Sequence, residues 1–269
     1  MSSSVSPANF VLRAPRLVLL IHGYNVSLAG GEQSFTAFLG LLSNYGITEL
    51  SIFGHVVGFL WPGDVNIQVI GGLFYPAKID TAIDSATVLA LFLRQLKGPG
   101  GTPIQVVAVS HSLGNRVGLE MVNDLLAPAA WGRVESMCLM AAAVPVAMVE
   151  ANAHLAPAAS AVRTRNLFST SDSVLHWAFP PGETVAGEGF FPQAIGLFGN
   201  PPACWGDEFN LQPYNHGNYF YGLGTDDRSA RYVAQFLGAA VPNAIFASAL
   251  PTNSLPPPNT IAARTVGTQ

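Results

Sequence analysis

Charge is what this 269-residue sequence most conspicuously lacks. Asp, Glu, Lys and Arg together make up 10% of it, whereas hydrophobic residues make up 49%; ordinary soluble domains carry about 25% charged residues. A disordered chain needs high charge and low hydropathy, so disorder is excluded and a large buried core is expected. A basic excess is missing as well. Twelve Lys and Arg against 16 Asp and Glu leave a net charge of −4 and a pI near 5.8, which provides no positive field for a phosphate backbone, and nucleic acid is not an expected partner. The mean hydropathy is +0.35, yet apolar runs such as residues 17–21 and 106–109 are strand length. They fall far short of the ~20 residues of a spanning helix, so no transmembrane segment is expected. Only two cysteines are present, too few for a disulfide scaffold. Cys138 sits in the apolar run 137–142 and reads as core, and Cys204 lies in a loop rich in Pro and Gly. With six scattered histidines these two give no zinc spacing, and no metal site is expected. Residues 1–16 hold no apolar stretch before a small-residue cleavage site, so no secretory signal is expected and the cytoplasm is the expected location.

What is present is an alternation of apolar runs and helical patterns, the signature of βαβ units. Strands are expected at residues 16–21, within 49–59, and at 104–109, 134–139 and 165–169. Helices are expected between them. Residues 31–45 place Phe35, Phe38, Leu39 and Leu42 on one face, and 79–97 repeat the pattern with Ile83, Ala86 and Leu93 before Gly98-Pro99-Gly100 stops it. Further helices are expected at 113–126 and at 226–238, the last opened by Asp226-Asp227. Between residues 173 and 213 no period survives among the Gly, Pro and Phe residues, which reads as a loop or lid. From residue 241 the chain is rich in Pro, Ala, Ser and Thr. The expected organisation is one α/β domain over residues 1–250, with a mostly parallel central sheet flanked by helices, an insertion at about 173–213, and a Pro-rich tail over 251–269.

The most informative segment is Val109-Ser110-His111-Ser112-Leu113-Gly114-Asn115. An apolar strand runs straight into a turn built around Ser112 and then into a helix. Such a turn lifts one side chain above the sheet edge, and it needs small residues two before and two after, supplied here by Ser110 and Gly114. In this the chain resembles the α/β-hydrolases, whose nucleophile elbow is usually written Gly-x-Ser-x-Gly; Ser110 departs from the first glycine. The resemblance implies an α/β-hydrolase fold with Ser112 as nucleophile. It also gives a meaning to Ile21-His22-Gly23-Tyr24 at the end of the first strand: the oxyanion hole is expected from the backbone N–H groups of Tyr24 and Leu113. The His22 side chain itself reads as structural, bonding loop backbone.

A serine hydroxyl needs a base, and the family order is Ser, then Asp or Glu, then His before the last helix. Of His154, His176 and His216, the last precedes the 226–238 helix and is the expected base. Asp172, just past the fifth strand, is the expected acid; Asp207 and Glu208 are rivals, and Asp226 and Asp227 read as helix caps. Trp61, in Phe59-Leu-Trp-Pro-Gly63, reads either as a cleft wall or as a core anchor. Phe179, Phe190, Phe191, Phe198 and Trp205 in the insertion either form an apolar acyl pocket or pack the loop down. The implied activity is a serine hydrolase acting on carboxylic esters, esterase-like or lipase-like, through an acyl-enzyme and with no cofactor. Its expected partner is a small-molecule or lipid ester substrate; the oligomeric state is not legible. The alternatives are an acyltransferase or thioesterase with the same triad, or a catalytically silent α/β-hydrolase-like protein that binds a hydrophobic ligand.

Overall fold

Arg16–Ile21, an unbroken buried run, forms β1, and its six residues are inaccessible on both faces as a central parallel strand must be. The computed structural model describes residues 13–49, 51–52, 54–64, 75–126, 132–201, 206–239 and 259–262. In chain order the remaining elements are α1 (Leu28–Ser43), β2 (Gly54–Leu60), α2 (Tyr75–Gln95), β3 (Ile104–His111), α3 (Gly114–Leu125), β4 (Gly132–Met140), α4 (Ala156–Ala161), β5 (Arg163–Phe168), α5 (Phe179–Ala186), α6 (Ile195–Phe198), β6 (Asp207–Asn210), α7 (Arg228–Ala239) and β7 (Asn259–Ala262). Among the described residues the strands form one seven-stranded sheet in the order β6-β5-β4-β3-β1-β2-β7, with every pairing parallel. Helices cover both faces, α1 packing with α7 and α2 with α3.

This order positions the site. From β1 the chain passes to β2 on one side, then returns through α2 to β3 on the other, so the strand order reverses between β1 and β3. In open parallel sheets the crevice beyond the carboxyl ends of the strands at such a reversal is where ligands bind. The turn after Ile21 and the turn after His111 meet there.

The helices begin where side chains can satisfy their first N–H groups. The Ser27 hydroxyl accepts from the Gly30 N–H at 3.1 Å, starting α1 three residues earlier than its apolar period suggests. Asp226 accepts from the Arg228 N–H at 3.1 Å at the start of α7. The insertion is the larger departure. Residues 173–213, expected to be structureless, carry a π-helical turn at Val174–Ala178 running into α5, then α6 and β6. Pro180 and Pro181 look like breakers in the sequence, but they occupy the first turn of α5, where a missing N–H costs nothing. Gly187, with φ +80°, ends it. Eight residues are too few to show a helical period. The tail contributes residues 259–262 as β7, paired to β2. Cys138 is a free, buried thiol in β4, its pKa pushed up to about 12 by burial. Cys204 and Trp205 lie outside the described residues. No described helix is long and apolar enough to cross a membrane.

One buried group has a pH consequence. Glu183 on α5 is 1% exposed. Its Oε1 accepts from the Tyr75 hydroxyl at 2.7 Å, while its buried Oε2 has no hydrogen-bond partner among the described residues. Burial raises this carboxyl from 4.5 to about 7. Because the folded pKa lies above the unfolded one, the folded chain holds this proton more tightly, and that stabilisation is lost as pH climbs from about 4.5 through about 7. Glu183→Gln should therefore gain urea stability over the wild type as the buffer moves from about pH 5 to about pH 8. A difference between the two proteins that does not change with pH contradicts the assignment.

Candidate functional site

Ser112 lies between the end of β3 and the start of α3 with φ +55°, in the left-handed region that a non-glycine residue enters only under constraint. Four hydrogen bonds supply the constraint. The Ser112 N–H donates to Met140 O at 3.0 Å, and the Ala143 N–H donates to Ser112 O at 3.2 Å. The Asn115 side-chain amide donates to both carbonyls, Ser112 O at 2.9 Å and Met140 O at 3.0 Å. Ser110 explains its own departure from glycine: its hydroxyl, fully buried, donates to Asn115 Oδ1 at 2.7 Å and so orients the amide that holds the turn. Gly114 admits no substitute, since a Cβ there would sit 2.3 Å from the His22 carbonyl oxygen.

The turn after β1 crosses Ser112 just as closely. A Cβ on Gly23 would lie 2.6 Å from the Ser112 Cβ, so only glycine lets the backbone at Gly23 and Tyr24 pass beside the serine. His22 anchors this turn from below. Its Nε2 accepts from the Trp61 N–H at 3.1 Å, which leaves the proton on Nδ1 to donate to Gly23 O at 2.9 Å. Burial lowers its pKa to about 4, keeping the ring neutral. Trp61 is inaccessible; its ring stacks on His22 with centroids 5.6 Å apart, and its indole N–H donates to His22 O at 2.7 Å. Of the two readings of Trp61, the structure places it as the anchor beneath the turn, because a ring buried on every side has no surface to offer a substrate. Leu113, which follows Ser112, is the N-cap residue of α3, where the helix dipole is positive.

Asp172 follows β5 and His216 follows β6, and the two meet Ser112 across the end of β4. Asp172, fully buried, caps the turn after β5: its Oδ1 accepts from the N–H groups of Val174 at 3.1 Å and Leu175 at 3.0 Å. Its Oδ2 accepts from His216 Nδ1 at 2.8 Å. His216 Nε2 stands 2.7 Å from the Ser112 hydroxyl oxygen. With Nδ1 donating to a carboxylate, Nε2 is the acceptor and the serine hydroxyl the donor. Residues separated by 104 and 44 positions thus join in one directed chain of hydrogen bonds. The His216 loop is stapled to the Asp172 turn. Asn215 Oδ1 accepts from the His216 N–H at 2.9 Å and from the N–H and hydroxyl of Ser173 at 3.0 and 2.9 Å, and the Ser169 hydroxyl donates to Tyr214 O at 2.6 Å.

A parallel sheet, a strained serine turn between strand and helix, an acid after a later strand and a histidine before the last long helix are now all in place. The fold is that of the α/β-hydrolases. No protein-family model matches the sequence, and no curated protein matches it. Solved structures similar to it include esterase PE8, at 15% identity and a TM-score of 0.44 over 85% of this chain and 94% of that one. Zea mays acyl-protein thioesterase 2 is similar at 13% identity and a TM-score of 0.43 over 84% and 95% of the two chains. DphMB1 follows at 14% identity and 0.37 over 84% and 77%. Likenesses this distant carry nothing about chemistry.

The rivals are occupied elsewhere. Asp207 pairs with Arg165 at 2.6 Å, and Glu208 accepts from the Asn200 N–H at 2.6 Å. Asp227 accepts from the Tyr45 hydroxyl at 2.6 Å, and His154 bonds Glu120 at 2.8 Å. Phe179 is buried, whereas Phe190 and Phe191 are 87% and 57% exposed with ring centroids 5.0 Å apart. Asn115, Asn215 and His111 were not singled out by the sequence. An Asn directly before the candidate base, where it caps a turn, is a signal that could have marked Asn215.

The turn should depend on Asn115. Asn115→Ala strands the Ser110 hydroxyl and removes two bonds to turn carbonyls, and should cost about 2–3 kcal/mol in urea unfolding. Ser110→Gly, which puts glycine at the first small position of the turn, should cost less. An Asn115→Ala loss below about 0.5 kcal/mol would show that the turn is held in some other way.

Proposed function

We propose that the protein is a serine hydrolase of carboxylic esters that works through an acyl-enzyme. The observation that carries the reading is the directed chain from Asp172 Oδ2 through His216 to the Ser112 hydroxyl, with links of 2.8 and 2.7 Å. In the proposed reaction Ser112 Oγ attacks the ester carbonyl carbon as its proton passes to His216 Nε2. Asp172 holds the Nδ1–H and offsets the positive charge on the ring without taking the proton. The backbone N–H groups of Tyr24 and Leu113 stabilise the negative oxygen of the tetrahedral intermediate, helped by the positive end of α3. Collapse breaks the ester C–O bond, and the departing alkoxide collects the proton from Nε2. Water then gives a proton to Nε2 as its oxygen attacks the acyl carbonyl; collapse breaks the C–Oγ bond, Nε2 returns the proton to Ser112 Oγ, and the acid is released.

The substrate is proposed to be apolar. The insertion that leaves from Asp172 exposes Trp177, Phe190, Phe191 and Phe198, and large exposed aromatics on one segment are the kind of surface that takes an acyl chain. Residues 173–213 are accordingly proposed as the cap that reads the acyl chain.

Ser112→Ala should reduce p-nitrophenyl ester hydrolysis by about 10⁴-fold or more without lowering the unfolding midpoint, and Asp172→Asn should reduce it by about 10⁴-fold through the wrong imidazole tautomer. Wild-type protein inactive on esters of every chain length, or Ser112→Ala at wild-type rate, rejects the hydrolase reading. The former outcome favours a silent ligand-binding protein. Replacing Phe190 and Phe191 together by Ala should raise KM for long-chain esters about 10-fold while leaving acetate esters nearly unchanged. Equal effects on both mean that the rings do not read the acyl chain.

A further inference from the structure

His111, the residue just before Ser112, faces the candidate base. Its ring Nε2 lies 2.8 Å from the backbone carbonyl oxygen of His216, and a carbonyl only accepts, so Nε2 carries the proton and donates it. The two imidazole rings stand 5.0 Å apart. The His111 ring packs against Tyr219 and Phe220 at 5.8 and 5.3 Å. On its other side lies the turn after β1, where a Cβ on Gly23 would come 3.1 Å from His111 Nδ1. One residue on the strand that delivers Ser112 therefore touches both the turn holding Tyr24 and the loop holding His216.

We infer that His111 is a positioning residue: by donating to the His216 carbonyl, it sets where the His216 ring stands between Ser112 and Asp172. The physical case is that His216 heads a single turn of 3₁₀ helix, His216–Asn218, too short to hold a side chain by its own hydrogen bonds. Asn215 fixes that turn at its N–H side and His111 at its carbonyl. With both peptide groups of His216 tied down, the ring retains its side-chain torsions alone, and these are held by Asp172 at Nδ1. Burial, with the neighbouring His216 as a lesser cause, pushes the His111 pKa down to about 3. The ring thus stays neutral, keeping its single N–H proton on Nε2 and directed at the carbonyl, and adds no second positive charge when His216 takes the serine proton. The ring hydrogen bond of His111 goes to the His216 backbone carbonyl, so the influence proposed for it runs through His216.

The inference rests on the hydrolase reading for its kinetic arm but not for its spectroscopic one. Two variants separate the hydrogen bond from the packing: His111→Phe keeps an aromatic ring among Tyr219 and Phe220 and lacks the donor, and His111→Gln keeps an N–H at a similar reach. On p-nitrophenyl butyrate, His111→Phe should lower kcat by about 10- to 100-fold with KM changed less than about twofold, the size expected from a small misplacement of a reacting group. His111→Gln should recover most of the loss. Independently of turnover, the far-downfield proton resonance of the His216 Nδ1–H in its bond to Asp172 should shift or broaden in His111→Phe and return in His111→Gln. A wild-type kcat and an unmoved resonance in folded His111→Phe overturn the inference, as does a His111→Gln variant as impaired as His111→Phe on both readouts. Wild-type protein that hydrolyses no ester defeats the hydrolase reading alone, and the resonance then decides the role of His111.

Discussion

Everything in the site depends on the backbone of Ser112 being held at φ +55°. A non-glycine residue in that region costs of order 1–3 kcal/mol, and the turn persists because its neighbours leave it no alternative. Met140 and Ala143 bind its N–H and carbonyl, and Asn115, aimed by the Ser110 hydroxyl, binds the same carbonyl and that of Met140. The partners come from the end of β4 and the segment just after it, and from α3. Small residues are needed wherever chains cross at the turn. Gly114 clears the His22 carbonyl, and Gly23 clears Ser112 itself. The constraint sends the serine side chain upward and aligns the start of α3 with the space above it.

The sheet and the central residues were legible in the sequence because they are encoded locally. Buried parallel strands read as unbroken apolar runs, and β1, β3, β4 and β5 fall within about two residues of their expected limits. Ser112, Gly23 and Gly114 sit in short motifs whose residue sizes follow from one turn. Asp172 and His216 could be picked out because chain order restricts the candidates to a few, and the hydrogen bonds bring that pair to Ser112 rather than any of the rivals. The insertion was not legible. Its helix α5 is shorter than the window that shows a period, and its prolines occupy the one part of a helix that tolerates them. Nor was the meaning of Trp61 legible, since a Trp after a strand looks alike whether it lines a cleft or stacks beneath a histidine. The residues that hold the site in place, Asn115, His111 and Asn215, act through backbone carbonyls and N–H groups far away in sequence, and such partners leave no pattern in the chain.

The scarcity of charge in the sequence has its counterpart at the site. His22 and His111 are buried and kept neutral, with pKa values lowered to about 4 and about 3. Asp172 is inaccessible, and its oxygens are engaged by two backbone N–H groups and by His216. In such surroundings the proposed proton transfer from serine to imidazole would face an oriented carboxylate, and electrostatic interactions are stronger than in water.

The central claim, that Ser112 is an activated nucleophile, is tested most directly by a fluorophosphonate, which forms a stable adduct only with a serine whose proton is being taken. Intact-mass measurement followed by peptide mapping should find one adduct per chain, on Ser112, lost when the protein is denatured first or when His216 is replaced by Ala. Folded protein that takes no adduct, or takes it on another serine, contradicts the account.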